Sequence, residues 1–294
     1  MSLTIIETAG EMSRALDAVR STGKIGLVPT MGALHDGHIS LIKKSVSEND
    51  ITVVSIFVNP IQFDDKNDLA SYPSTLDDDI AACTEIGVAY IFMPSPADMY
   101  PPGFSTFIDM ESGTDILCGA SRPGHFRGVL TVVNKLFNIV APDNAYFGKK
   151  DAQQLFLIKK MVFDLNMQVN IVSCETVREH DGLALSSRNK KLSPEERAAA
   201  ACLYKAIQRG AKVVDTILSG NNAGDPETTI DTEPAAKEIT SIIQSEPLAK
   251  IDYVEILDYE TLTPVTTNTK SVLIAAAVYF GETRLIDNLT VVVK

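Results

Sequence analysis

Tryptophan is absent from the 294 residues, and only 4 cysteines occur. Cys83, Cys118, Cys174 and Cys202 form no C-x-x-C pair. Their spacing speaks against a cysteine zinc site and against a disulfide framework. Each reads as a small buried or half-buried residue. No apolar run reaches the ~20 residues of a membrane-spanning helix. The opening Met1-Ser2-Leu3-Thr4-Ile5-Ile6-Glu7 lacks the basic and apolar regions of a secretory leader, so cytoplasmic residence is expected. Positive charge is scarce, with 26 Lys and Arg against 38 Asp and Glu and a net charge of −12. Such a balance disfavours a nucleic-acid surface, which needs clustered cations, yet allows a small anionic substrate where cations gather locally. Neither G-x-x-x-x-G-K-[ST] nor G-x-G-x-x-G occurs, so P-loop phosphoryl transfer and dinucleotide binding lose support.

What is present is a real core. The chain is 45% hydrophobic and 22% charged, and its length suits one large domain or two ordinary ones. Over roughly the first 175 residues, short apolar runs alternate with amphipathic ones in the βα manner that implies a parallel sheet. Strands are expected at 24–28, 51–58, 88–93, 145–147 and 168–172, and helices at 11–20, 38–47, 76–86, 128–140 and 151–165. Thr8, Thr75 and Asp151 are the expected N-caps, and Gly87 is a C-terminal stop. After Ser186-Ser187-Arg188-Asn189 the character changes. A helix capped by Ser193 is expected over 194–208, then a loose segment at 220–225, then strands at 252–257, 272–278, 285–286 and 289–293. The fold class is α/β: a doubly wound parallel sheet over 1–180, followed by a smaller α+β domain over 181–294.

Five clusters carry chemistry. The first is Pro29-Thr30-Met31-Gly32-Ala33-Leu34-His35-Asp36-Gly37-His38, where an apolar strand hands over to a helix. That junction is the carboxyl edge of a parallel sheet, and a helix N-terminus there suits phosphate. Paired imidazoles add hydrogen-bond donors without permanent charge. They can also be read as metal ligands, although no third ligand follows at a zinc spacing, or as plain polar residues at a helix start. In the second cluster, 57–63, Asn59 and Gln62 would turn amides into the same crevice, unless they belong to a polar turn around Pro60. In the third, Arg122, His125 and Arg127 suit either an anion or a helix anchor. The fourth, Gly148-Lys149-Lys150-Asp151, offers close backbone approach, cations for phosphate and a carboxylate for ribose, or else a solvated basic turn. The fifth, Leu185-Ser186-Ser187-Arg188-Asn189, can wrap a triphosphate tail. Together they describe an ATP site that cleaves between the α and β phosphates.

Read in order, PTMGALHDGH (29–38), FVNPIQF (57–63), RPGHFRGV (122–129), FGKKDAQQL (147–155), DGLALSSRN (181–189) and RLIDN (284–288) resemble the pantoate–β-alanine ligase family over nearly the whole chain. The resemblance implies a Rossmann-like first domain in the nucleotidyltransferase superfamily, which also includes class I aminoacyl-tRNA synthetases. It implies a two-step reaction with ATP and Mg2+ through a pantoyl adenylate, and a homodimer. By position, it places Met31, Gly32, Ala33, Leu34, His35, Asp36, Gly37 and His38 on ATP. Gly148, Lys149, Lys150, Asp151, Val177, Leu185, Ser186, Ser187 and Arg188 join them. The catalytic set it implies is His35, His38, Lys150, Ser186, Ser187 and Arg188. Gln62 would hold pantoate and border β-alanine, Gln154 would hold pantoate, and Asn59 would assist. Asp78 and Asp79 match an acidic pair near magnesium. Lys149 stands where many relatives carry Glu, Ser74 where Arg is frequent, and His180 where small residues are common. Another adenylate-forming ligase of the same superfamily is the nearest alternative. A nucleotide-binding sensor on the same fold is the alternative from another class.

Overall fold

The computed structural model describes residues 3–64, 69–70, 72–220 and 227–293. These fall into two compact units: 1–149 with 153–177, and 150–152 with 178–294. The first unit is built on a six-stranded, all-parallel sheet. Its strands are β1 (Thr4–Ile6), β2 (Ile25–Thr30), β3 (Ile51–Ile56), β4 (Tyr90–Phe92), β5 (Asn144–Gly148) and β6 (Asn170–Cys174), in the order β1-β4-β3-β2-β5-β6. From β2 the chain winds outward on one side through β3 and β4, then returns to pair β5 on the other side of β2. The carboxyl ends of β2 and β5 therefore flank the topological switch point, where ligands bind in open α/β sheets.

Both faces of the sheet are covered, and for this reason its strands read as near-continuous apolar runs. Ile25 and Leu27 of β2 and Ala145 and Phe147 of β5 pack with α1 (Ala9–Asp17), α6 (His125–Val140) and α7 (Ala152–Asp164). Val28 and Tyr146, of opposite parity, pack with α2 (Asp36–Glu48) and α3 (Leu76–Ile86). Leu41 and Ile42 seat α2, each such side chain contributing about 1.5–3 kcal/mol on burial. Two four-residue helices, α4 (Pro96–Met99) and α5 (Cys118–Ser121), lie in the connections. Burial pushes the Cys83 thiol up to about 12 and that of Cys174 up to about 11, so neither is a reactive thiolate.

The second unit contains α8 (Pro194–Gly220) and α9 (Glu233–Gln244) with an antiparallel sheet, β7 (Ala249–Asp258), β8 (Ser271–Phe280) and β9 (Thr283–Val292), in the order β7-β8-β9. Leu203, Ile207 and Val214 of α8 share a core with Ile239 and Ile243 of α9 and Ile274 and Val278 of β8. Ser193 caps α8 reciprocally with Glu196. No helix among the described residues is long and apolar enough to cross a membrane.

Several boundaries differ from the sequence expectation. The helix expected from His38 begins at Asp36, with His35 as its N-cap. The helix expected to stop at 208 runs to Gly220, because Gly210 is a packing residue and not a stop. A Cβ there would lie 2.3 Å from Ile239 Cδ1, so the glycine lets α9 approach. β1 and α9 lie outside the sequence expectation, and the two short terminal strands are one, β9. Thr75 sits at the α3 N-cap but makes no cap bond, because its hydroxyl turns to Asp79. Beyond Gly220, the loose segment expected at 220–225 lies outside the described residues.

Candidate functional site

The β2–α2 connection is held from below. Thr30 Oγ1 accepts from the Gly32 N–H at 3.1 Å and donates to the Ser55 carbonyl at 2.7 Å. Gly32 and Ala33 both adopt left-handed backbone, φ +77° and +50°. For alanine that conformation is strained and needs external support. Asp79 supplies it, its buried carboxylate accepting from the Ala33 and Leu34 N–H groups at 2.8 and 2.9 Å. Thr75 Oγ1 adds a third bond at 3.1 Å.

Asp79, expected with Asp78 near magnesium, thus has a structural task in supporting this loop. Both of its oxygens are committed to this loop, while Asp78 is exposed. No group of three His, Cys, Asp or Glu side chains that could hold a metal occurs among the described residues. Asp79→Asn presents an amide where two N–H groups need acceptors. The substitution is expected to lower unfolding stability by about 1–3 kcal/mol, read from the urea midpoint. The magnesium concentration giving half-maximal activity should stay unchanged. A marked rise in that concentration at full stability would instead support the metal role.

His35 and His38 then cap α2 with each other. His35 Nδ1 accepts from the Gly37 N–H at 3.1 Å, and the His35 N–H donates to His38 Nδ1 at 3.4 Å. Their ring centroids are 4.1 Å apart. A nitrogen that accepts a hydrogen bond carries no proton, so these bonds assign the proton of each neutral ring to Nε2. The glycine between the histidines has a reason: a Cβ on Gly37 would lie 2.8 Å from His35 Cε1. The H-x-G-H pattern thus places two Nε2–H donors at the positive end of a helix dipole, beside the switch point.

After β3, Asn59 is fully engaged. Its Nδ2 donates to Gln62 Oε1 at 3.0 Å and to the Gly128 carbonyl at 3.1 Å, and its Oδ1 accepts from the Tyr100 hydroxyl at 2.7 Å. At 1% exposure, Asn59 orients Gln62, the residue expected to hold pantoate. Burial pushes the Tyr100 hydroxyl up, which keeps it a donor. Gln62 Nε2 reaches Met31 Sδ at 3.3 Å, bringing the second cluster against the first. His125 Nδ1 donates to the Gln62 carbonyl at 2.8 Å, and its other ring nitrogen meets Arg122 at 3.3 Å. A cavity of about 160 Å³ lies here, lined by Gln62, Asp64, Phe107, His125 and Arg127 among others. Arg127 stacks 3.9 Å over the Phe107 ring.

After β5, Gly148 ends the strand and Lys149 pairs with Glu175, which follows β6. Gln154 is half-buried. Its neighbour Gln153 is buried and holds the 113–118 loop, accepting from the Cys118 N–H at 3.0 Å and donating to the Gly113 and Ile116 carbonyls at 2.9 and 2.7 Å. Sequence reasoning missed Gln153, because a Gln-Gln pair does not reveal which member turns inward.

Within the second unit, Ser186 Oγ accepts from the Arg188 N–H at 3.2 Å and caps the short turn Ser187–Lys191. Two arginines shape the preceding loop. Arg197 grips Asp181 and Glu179, and this contact holds the Asp181 carboxyl below its ordinary range. Arg178 makes paired bonds to Asp287 at 2.6 and 2.9 Å and donates to the Gly182 carbonyl at 3.0 Å. Asn189 holds the same loop through Glu179 and the Ala184 carbonyl. Lys150 groups with this unit, and its Nζ lies 3.7 Å from Asp151 Oδ1. Leu185 and Val177 are half-buried.

A doubly wound parallel sheet with donor imidazoles on a helix N-terminus at its switch point defines a nucleotide-binding α/β enzyme. The model of the pantoate-beta-alanine ligase family matches residues 4–290, and the chain belongs to that family. It is 52% identical over 265 residues to the pantothenate synthetase of Carboxydothermus hydrogenoformans, covering 90% of each chain. To that of Acetivibrio thermocellus it is 48% identical over 290 residues, covering 98% of this chain and 99% of the relative. The crystal structure of pantothenate synthetase from Thermus thermophilus superimposes with a TM-score of 0.87 at 41% identity, covering 98% of this chain and 99% of that one. A pantoate-beta-alanine ligase from Francisella tularensis, complexed with beta-gamma ATP and beta-alanine, does so with a TM-score of 0.76 at 38% identity, covering 98% and 97%.

Proposed function

We propose that this protein condenses pantoate with β-alanine at the expense of ATP, forming pantothenate, AMP and pyrophosphate through a pantoyl adenylate. The observation that carries the reading is the pair of histidines on α2, whose Nδ1 atoms both accept within the cap, so that both protons sit on Nε2. Family membership supplies the substrates. In the first step a pantoate carboxylate oxygen attacks the α-phosphorus, and the bond to the bridging oxygen breaks to release pyrophosphate. In the second, the neutral β-alanine amine attacks the acyl carbon and AMP leaves with the bonding pair, while the amine gives up its surplus proton.

Such chemistry asks for alignment and for neutralisation of charge around phosphorus. His35 and His38 serve this as hydrogen-bond donors in the transition state. Gln62 and Gln154 hold pantoate, and Lys150, Ser186, Ser187 and Arg188 serve the polyphosphate. Mg2+ accompanies ATP in this reading, as the family resemblance implies. A cytoplasmic setting and a homodimer belong to the same proposal and rest on the family resemblance.

The test is product analysis. AMP should form from ATP only when pantoate and β-alanine are both present, and labelled pyrophosphate should exchange into ATP with pantoate alone. ADP as product, or exchange indifferent to pantoate, would overturn the assignment. Pantoate-independent exchange driven by another carboxylate would instead favour a different adenylate-forming ligase.

A further inference from the structure

Asn288 lies near the end of the chain, on β9, yet its side chain reaches back to the fourth cluster. Its Nδ2 donates to the Lys150 carbonyl at 2.7 Å, across 138 positions of sequence. Asn288 is itself fixed on several sides. It is 8% exposed, its N–H donates to Asp287 Oδ1 at 2.8 Å, and its carbonyl accepts from Arg178 at 3.3 Å. Asp287 in turn holds the Arg178 guanidinium, which stacks 3.9 Å over the Tyr204 ring. The carboxamide is thus a rigid donor backed by a buried ion pair.

Lys150 itself sits in a short turn between β5 and α7. A bond to its carbonyl fixes the peptide plane that follows Lys150, and with it the direction in which the side chain leaves the backbone. Burial pushes the Asp287 carboxyl up from its ordinary range, and the Arg178 guanidinium opposes that rise.

We propose that Asn288 is a positioning residue for Lys150, setting through the Lys150 carbonyl where the ammonium meets the polyphosphate of ATP. This rests on the reading of Lys150 as a phosphate ligand. A misplacement of about 1 Å at a reacting group can cost a hundredfold in rate. The carboxamide is thus required for turnover more than for folding.

The experiment is a double-mutant cycle on single-turnover pyrophosphate release from ATP and pantoate. Asn288→Ala and the isosteric Asn288→Asp, which lacks the donor, are each combined with Lys150→Ala. Each Asn288 variant alone, assayed well below its melting midpoint, should slow release up to about a hundredfold, with a smaller change in the KM for ATP. In the Lys150→Ala background, the same substitutions should add nothing. Full activity in both Asn288 variants, losses that add in full to that of Lys150→Ala, or losses that track a fall in melting midpoint would each overturn the proposal. Wild-type activity in Lys150→Ala would show instead that the reading of Lys150 itself is wrong.

Discussion

His38→Ala is expected to slow pyrophosphate release by about a hundred- to a thousandfold, the usual loss when one preorganised donor is removed from a developing oxyanion. The substitution also removes the acceptor for the His35 N–H, so part of the loss would come from a loosened helix start. Two further variants separate these effects. His38→Asn places an amide oxygen near the position of Nδ1 and can keep the cap, but has nothing at the position of Nε2. His38→Gln places an amide nitrogen near Nε2 and loses the cap. If the Nε2–H is what matters, the glutamine variant keeps more activity despite its weaker helix start, while the asparagine variant is as slow as alanine. Loss of the cap itself is worth only about 1 kcal/mol, and thermal melting reads it separately. Equal activity in the asparagine variant and the parent protein would reduce His38 to a structural cap.

The first cluster was legible because its logic is local. An apolar strand, a turn and an amphipathic helix follow one another within about 24 residues, and the switch point follows from the βα alternation alone. What the alternation could not show is the support beneath the loop. Ala33 and Leu34 are held by Asp79, 46 and 45 positions away, on a helix whose acidic first turn satisfies simpler explanations. A run of three aspartates reads as helix-dipole complement or as metal ligands, and nothing in its spacing says that one carboxylate turns inward.

Asn59 shows the same limit. Its place beside Gln62 was legible, but its bonds to Tyr100 and the Gly128 carbonyl were not, because those partners lie 41 and 69 positions away. The helix expected over 194–208 continues through Gly210, and the partner that glycine packs against, Ile239, belongs to a helix the pattern did not reveal. Long-range polar contacts are therefore what the sequence hides here. They are also what turns a sheet edge into a site, because each fixes a loop that local propensity leaves free.

Lys150→Ala carries the other large expectation, a fall of about a hundred- to a thousandfold in pyrophosphate release, with a much smaller change in folding stability. Its contact with Asp151 is a partly exposed ion pair with the carboxylate 48% accessible, and pairs of that kind are worth about 0–1 kcal/mol. The melting midpoint should therefore barely move. If the ammonium neutralises charge that builds only as the α–β bond breaks, the loss falls mainly on kcat and leaves the KM for ATP comparatively intact. A lysine that merely attracts the ground-state polyphosphate would instead raise KM at constant kcat. Lys150→Arg retains the charge but exchanges a compact ammonium for a longer planar fork. Because the Lys150 backbone is fixed by Asn288, the chain cannot shift to accommodate that length. Arginine should thus recover little of the rate, whereas full recovery would mean that charge alone, without placement, is what this position supplies.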